Sequence, residues 1–191
     1  MNRDHPDGTA PRRGLLVIGG DGPSPAALAK CARDSDIVIA ADSGFDACRA
    51  AGVEPLLVVG DMDSLSDRRL LDALPRDRVM IFPRDKDETD TEIGVRILRE
   101  RGCAHLTIAG GGGGRLDHLL GVVALFERPE PPSRWLTTSE EILLVEGEAV
   151  IDGCAGATIS VFPVGAGVSG MRSEGLHWPL DGLTFARGWA G

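Results

Sequence analysis

An α/β N-terminal domain with a mostly parallel sheet, followed by a smaller all-β, sandwich-like C-terminal domain, is predicted by two features of the chain. From Gly14 to about Arg128, short β-branched runs alternate with segments of helical spacing, the pattern of a parallel sheet covered by helices. After the stretch ERPEPPSR, residues 127–134, come short alternating runs broken by glycine, as in antiparallel β structure. The expected layout is a flexible tail over 1–13, an α/β domain over 14–128 and a β domain over 129–191.

The strands expected in order are LLVIG (15–19), DIVIAA (36–41), LLVVG (56–60), RVMIF (78–82) and HLTIA (105–109). Helical spacing follows each of them, over 24–34, 44–51, 66–74, 89–101 and 116–127. The fourth helix has the clearest signals. Thr89 to Glu92 reads as a capping box ahead of Ile93, Ile97 and Leu98, and Gly102 is the expected stop. Three prolines within 127–134 end the fifth helix and mark the domain boundary.

The formal charge of -9 over 191 residues disfavours nucleic acid and anionic membranes as partners, because both need clustered Lys and Arg. Four separated cysteines, Cys31, Cys48, Cys103 and Cys154, form no zinc-ligand spacing and no disulfide framework. No apolar run approaches the ~18 residues of a membrane span. A soluble, cytoplasmic protein is expected.

Chemistry concentrates after the strands. Asp42 follows DIVIAA, Asp61 and Asp63 follow LLVVG, RDKDETDTE follows RVMIF, and GGGGGRLDH follows HLTIA. In a parallel sheet these C-terminal ends share the edge where ligands bind. Asp42, Asp61, Asp63 and Asp90 could together supply oxygen ligands to Mg2+; a single aspartate after a strand could equally cap a helix or shape a turn. A D-x-D pair places two like charges together, which capping does not require. The glycine run lets backbone N–H groups approach a phosphate at a helix N-terminus. Arg115 would add a bidentate charged partner, and Asp117 could orient it. Neither GxxxxGK[ST] nor GxGxxG occurs, and no serine or histidine is arranged for nucleophilic catalysis. Acids, a metal and a phosphate cradle are the parts needed for phosphoryl transfer by positioning and charge neutralisation.

Together, ADSG with GDMDS, KDETDTE and GGRLDH resemble, in order and approximate spacing, the thiamine pyrophosphokinase family. The resemblance extends from Gly14 onward and includes the C-terminal GLHWPLDG. It implies transfer of the pyrophosphoryl group of ATP to thiamine, giving thiamine diphosphate and AMP, with Mg2+ and a homodimer. It implies that Asp61, Asp63 and Asp90 hold Mg2+, with these and Asp42 as catalytic residues. Gly112, Gly113, Gly114, Arg115, Asp117 and Thr89 would belong to the ATP phosphate site. Asp42, Ser43 and Trp178, or Trp189 as the aromatic, would meet thiamine. The family usually reads ADGGAN where this chain has ADSGFD, and typically continues through a Ser-Asn motif beyond LTFARGWAG. A nucleotide-binding module without turnover and a metal-dependent phosphate-ester hydrolase are the competing readings.

Overall fold

The computed structural model of the chain describes residues 10–189 and divides into two compact units, one running through Val145 and one beginning at Glu146. Seven strands form the sheet of the first unit: β1 (Arg12–Val17), β2 (Ile37–Ala41), β3 (Leu57–Gly60), β4 (Val79–Ile81), β5 (Cys103–Ala109), β6 (Arg134–Leu136) and β7 (Glu141–Leu143). Their order is β4-β3-β2-β1-β5-β6-β7, with every neighbouring pair parallel except β6 with β7. The chain therefore moves outward from β1 through β4 and then crosses to β5 on the other side of β1. That reversal creates a topological switch point at the C-terminal ends of β1 and β5, where open α/β sheets leave a crevice.

Helices α1 (Pro25–Arg33), α2 (Gly44–Ala50), α3 (Asp90–Glu100) and α4 (Leu116–Leu125) complete the unit. The apolar strands read as they do because both faces are covered. Leu15, Val17, Ala40 and Val58 point into one core with Leu28 of α1 and Phe45 and Cys48 of α2. Leu16, Ile39 and Val59 point into the other with Ile93, Ile97 and Leu98 of α3 and Val122 and Leu125 of α4.

Gly44 lies so close to β1 that a Cβ would collide with the Val17 carbonyl, whereas Gly121 in α4 faces open space. Gly44→Ala should therefore cost about 3 kcal/mol through overpacking against backbone. Gly121→Ala should add up to ~1 kcal/mol from helix propensity. Urea midpoints of the two variants should accordingly move in opposite directions.

Three expectations need correction. Residues 1–9 of the expected tail lie outside the described residues, but Arg12 and Arg13 already belong to β1, where Arg13 N–H donates to Asp36 Oδ2 at 2.7 Å. Residues 68–73 form a 3-10 helix rather than an α-helix. The Asp67 side chain caps it by accepting from Arg69 N–H, and Pro75 stops it after Leu74.

The proline stretch is not a boundary in the structure, because β6 and β7 beyond it join the first sheet. Pro132 is fully buried, and Arg99 donates to the carbonyls of Glu130 (2.8 Å) and Pro131 (2.6 Å), fastening the stretch to the end of α3.

The second unit carries one antiparallel pair, β8 (Gly167–Ser169) with β9 (Thr184–Ala186), Phe185 being its buried residue. A smaller antiparallel β unit thus follows the α/β domain. Among the described residues this pair is its sheet. Among the described residues no helix is long and apolar enough to cross a membrane.

Candidate active site

Three loops at the C-terminal edge of the sheet bring carboxylates together. Asp42 directly follows β2 with a left-handed backbone, φ 45°, and its N–H donates to Val59 O at 3.0 Å, which extends the β2–β3 pairing by one step. β3 ends at Gly60, where a Cβ would strike Asp42 Oδ1, so glycine is required there for Asp42 to lie beneath the next loop. Asp90 is the first residue of α3, held by the Thr89–Glu92 capping box. Asp42, Asp61 and Asp90 each offer an oxygen within 4.8 Å of the other two.

The electrostatics match that crowding. Burial, then the adjacent Asp90 carboxyl and the charge of Asp61, push Asp42 up to about 7, against the pull of the Met62 N–H that donates to its Oδ1 at 3.0 Å. Asp61 is held below the usual carboxylate range, chiefly by the Asp63 N–H donating to its Oδ1 at 3.0 Å, with help from the charges of Lys86 and Arg84. Asp90 Oδ1 is buried and accepts no hydrogen bond of good geometry, although Lys86 Nζ lies 3.1 Å away as an ion pair. Three converging carboxylates, one with an orphaned buried oxygen, suit a hard divalent cation that takes oxygen ligands.

This set differs from the expected one. Asp63 is not among the three. Its carboxylate is exposed, lies 3.6 Å from Arg84 Nη2 and sits beside the Asp61 side chain at the rim of the group. Asp42, expected among the four acids and as a residue that meets thiamine, is the third carboxylate of the group.

The glycine run meets the loop after β1 at the switch point. Gly112 forms a two-way bridge with Asp21, and Gly111 N–H donates to Gly19 O at 2.8 Å. Gly110 N–H donates to Leu136 O, and Trp135 Nε1 donates to Gly110 O at 2.7 Å. The amides of Gly110, Gly111 and Gly112 are thus already used, so Gly112 cannot offer its N–H to a phosphate as expected. Gly113 and Gly114, at φ 63° and 66°, stay outside this ladder and lead into α4. Arg115 is 72% exposed and forms a two-pronged pair with Asp117, Nε to Oδ1 at 3.1 Å and Nη2 to Oδ2 at 2.5 Å.

Thr89 spends its hydroxyl oxygen on the cap, accepting from Glu92 N–H at 3.2 Å. Ser43 precedes α2 with its Oγ against Gly19, where a Cβ would collide with it. Trp178, in the second unit, is exposed and stacks edge-on with His177 at 4.5 Å. Asp21 was missed by sequence reasoning. Its carboxylate rests against Gly113, and the available signal was its position in GGDG immediately after the first strand run.

A family model described as the catalytic domain of thiamin pyrophosphokinase matches residues 28–134, more than half of the chain. The chain belongs to the thiamin pyrophosphokinase family. The matched region contains the carboxylate triad, Asp63, Thr89, the glycine run, Arg115 and Asp117. A curated relative, thiamine pyrophosphokinase of Bacillus subtilis (strain 168), is 32% identical over 90 residues. That alignment covers 46% of this chain and 41% of the relative, so the match spans less than half of either. Among solved structures, the thiamin pyrophosphokinase of Geobacillus thermodenitrificans superposes with a TM-score of 0.70 at 25% identity, covering 92% of this chain and 84% of its own. The Bacillus subtilis crystal structure gives a TM-score of 0.74 at 23% identity, covering 93% and 86%, and shares the thiamin pyrophosphokinase fold.

Proposed function

We propose that this chain is an ATP-dependent thiamine pyrophosphokinase acting as a cytoplasmic homodimer. The observation that carries the proposal is the convergence of Asp42, Asp61 and Asp90 from three separate loops, beside a glycine loop at the switch point. Asp42, Asp61 and Asp90 would hold Mg2+, which when bound neutralises charge on the polyphosphate and orients it. Gly113 and Gly114 amides, with Arg115, receive the nucleotide phosphates, and Asp117 holds the Arg115 guanidinium by its two-pronged pair. Lys86 balances the charge of Asp90.

The thiamine hydroxyl oxygen forms a bond to the β-phosphorus while the bond from that phosphorus to the α–β bridging oxygen breaks. AMP leaves and the hydroxyl proton passes to solvent. Asp42 and Ser43 face the acceptor. Exposed apolar residues of the second unit, Val150, Phe162 and Trp178 among them, are surface that a partner subunit would cover.

The test is a product analysis with ATP and Mg2+, with and without thiamine. AMP and thiamine diphosphate should form in equal amounts and only with thiamine present. ADP formation would exclude attack at the β-phosphorus, and phosphate release without an acceptor would make the protein a hydrolase.

A further inference from the structure

We propose that Asp46 is a positioning residue that fixes the loop carrying Asp61, a role that rests on the reading of the Asp42–Asp61–Asp90 group as the metal site. Asp46 lies in the first turn of α2, and both of its oxygens are spent on one residue of the loop after β3. Ser66 N–H donates to Asp46 Oδ2 at 3.0 Å, and Ser66 Oγ donates to Asp46 Oδ1 at 2.7 Å. Four residues earlier on each segment the same pairing recurs, Met62 N–H donating to Asp42 Oδ1. The stretch 42–46 therefore grips the arc 62–66 at two points, one helical turn apart.

The grip has work to do because the arc is strained and rigidly seated on one side only. Met62 holds a left-handed backbone, φ 63°, which a side-chain-bearing residue adopts at a cost. Met62 and Leu65 are buried in the same core as Phe45 and Cys48 of α2, which anchors the inner side of the arc. On the outer side Asp46 and Asp42 hold it, with Arg68 Nη2 donating to Asp61 O at 2.9 Å. The turn that presents Asp46 is itself closed by Phe45 N–H to Asp42 O (2.9 Å) and Asp46 N–H to Ser43 O (3.1 Å). Asp46 is outside the triad and acts on the cation only through the position of Asp61. Residues that orient ligands in this way change metal affinity by roughly 10- to 100-fold when removed.

Asp46→Ala, Asp46→Asn and Ser66→Ala in the full chain test this, with two readouts. Mn2+ binding without nucleotide or thiamine, followed by the resonance of free Mn2+, should weaken at least ~10-fold in Asp46→Ala. In Asp46→Asn it should stay near wild type, since the amide oxygen can accept the Ser66 N–H while the amide nitrogen donates to Ser66 Oγ. Amide exchange over 61–66 should accelerate in Asp46→Ala, less so in Ser66→Ala, and remain unchanged over β2. Ser66→Ala leaves α2 intact and keeps the test open if Asp46→Ala does not fold. Equal losses in Asp46→Asn and Asp46→Ala would assign the effect to charge and overturn the proposal, as would unchanged exchange in Asp46→Ala. A wild-type protein that binds no Mn2+ would remove the metal from the functional reading, and the exchange data would still decide whether Asp46 holds the arc.

Discussion

Asp61→Asn and Asp90→Asn should each reduce Mg2+-dependent AMP formation about 10^3-fold, while Asp63→Asn should cost far less. The first two remove an oxygen from the converging group. A metal ion contributes several kcal/mol of charge stabilisation at a reacting phosphoryl group, and each ~1.4 kcal/mol is a factor of ten in rate. Asp90→Asn has a second consequence, because it leaves the half-buried Lys86 ammonium without its partner. Asp63, by contrast, faces Arg84 at 3.6 Å with both side chains largely in water, where an ion pair contributes little. Its main service is its backbone N–H to Asp61 Oδ1, which the substitution keeps. Comparing kcat/KM at saturating Mg2+ for the three variants, with circular dichroism to verify folding, separates these cases. Equal losses at Asp61 and Asp63 would mean that the D-x-D pair, and not the triad, binds the cation.

The contrast between Asp63 and Asp42 shows what the sequence could and could not disclose. All five strands expected in the first domain are present, since each is a local apolar run, covered on both faces in the centre of the sheet and partly exposed at the edge strand β4. The capping box at Thr89 was equally legible, being four consecutive residues. Which acids converge was not legible. It depends on the path of the loops after β2 and β3, each of which passes through a left-handed residue, Asp42 and Met62. Only a few per cent of non-glycine residues adopt that conformation, and although Asp is enriched among them, nothing in the letters singles out Asp42 or Met62.

Non-local hydrogen bonds hid two further features. Three glycine amides are consumed by the loop after β1 and by β6, neither of which adjoins them in sequence. The prolines at 129–132 read as a linker because the Arg99 side chain that fastens them comes from a different helix. In the second unit, the apolar runs that suggested more strands, such as ISVFPV, form none among the described residues.

Asp42 should take stability from the metal-free protein as pH rises from about 4 to about 7, and Asp42→Asn should abolish that contribution. The sign follows from the proton. Asp42 titrates at about 7 in the fold against an ordinary 3.8, so between these values the folded chain binds a proton that the unfolded chain has released. Stability then falls with rising pH. Above about 7 both states are ionised, and the full repulsion with Asp90 and Asp61 is present. A fully buried group shifted this far would account for about 4 kcal/mol; Asp42 is half-buried, and solvent screening reduces the effect to ~1–2 kcal/mol. Asn preserves the acceptor for the Met62 N–H and removes only the charge, so the stability of Asp42→Asn relative to wild type should rise from near zero at pH 4 to ~1–2 kcal/mol at pH 8. Asp61 behaves oppositely, since its depressed value adds stability that is lost only in acid, and it is common to both proteins. Mg2+ should reverse the order. A cation takes the ionised carboxylates, so its stabilisation of wild type grows as Asp42 deprotonates and is weak in Asp42→Asn. Urea midpoints at pH 5 and pH 8, with and without Mg2+, test both halves. Parallel behaviour of the two proteins across that range would show that Asp42 carries an ordinary charge and that the crowding around it is relieved in some other way.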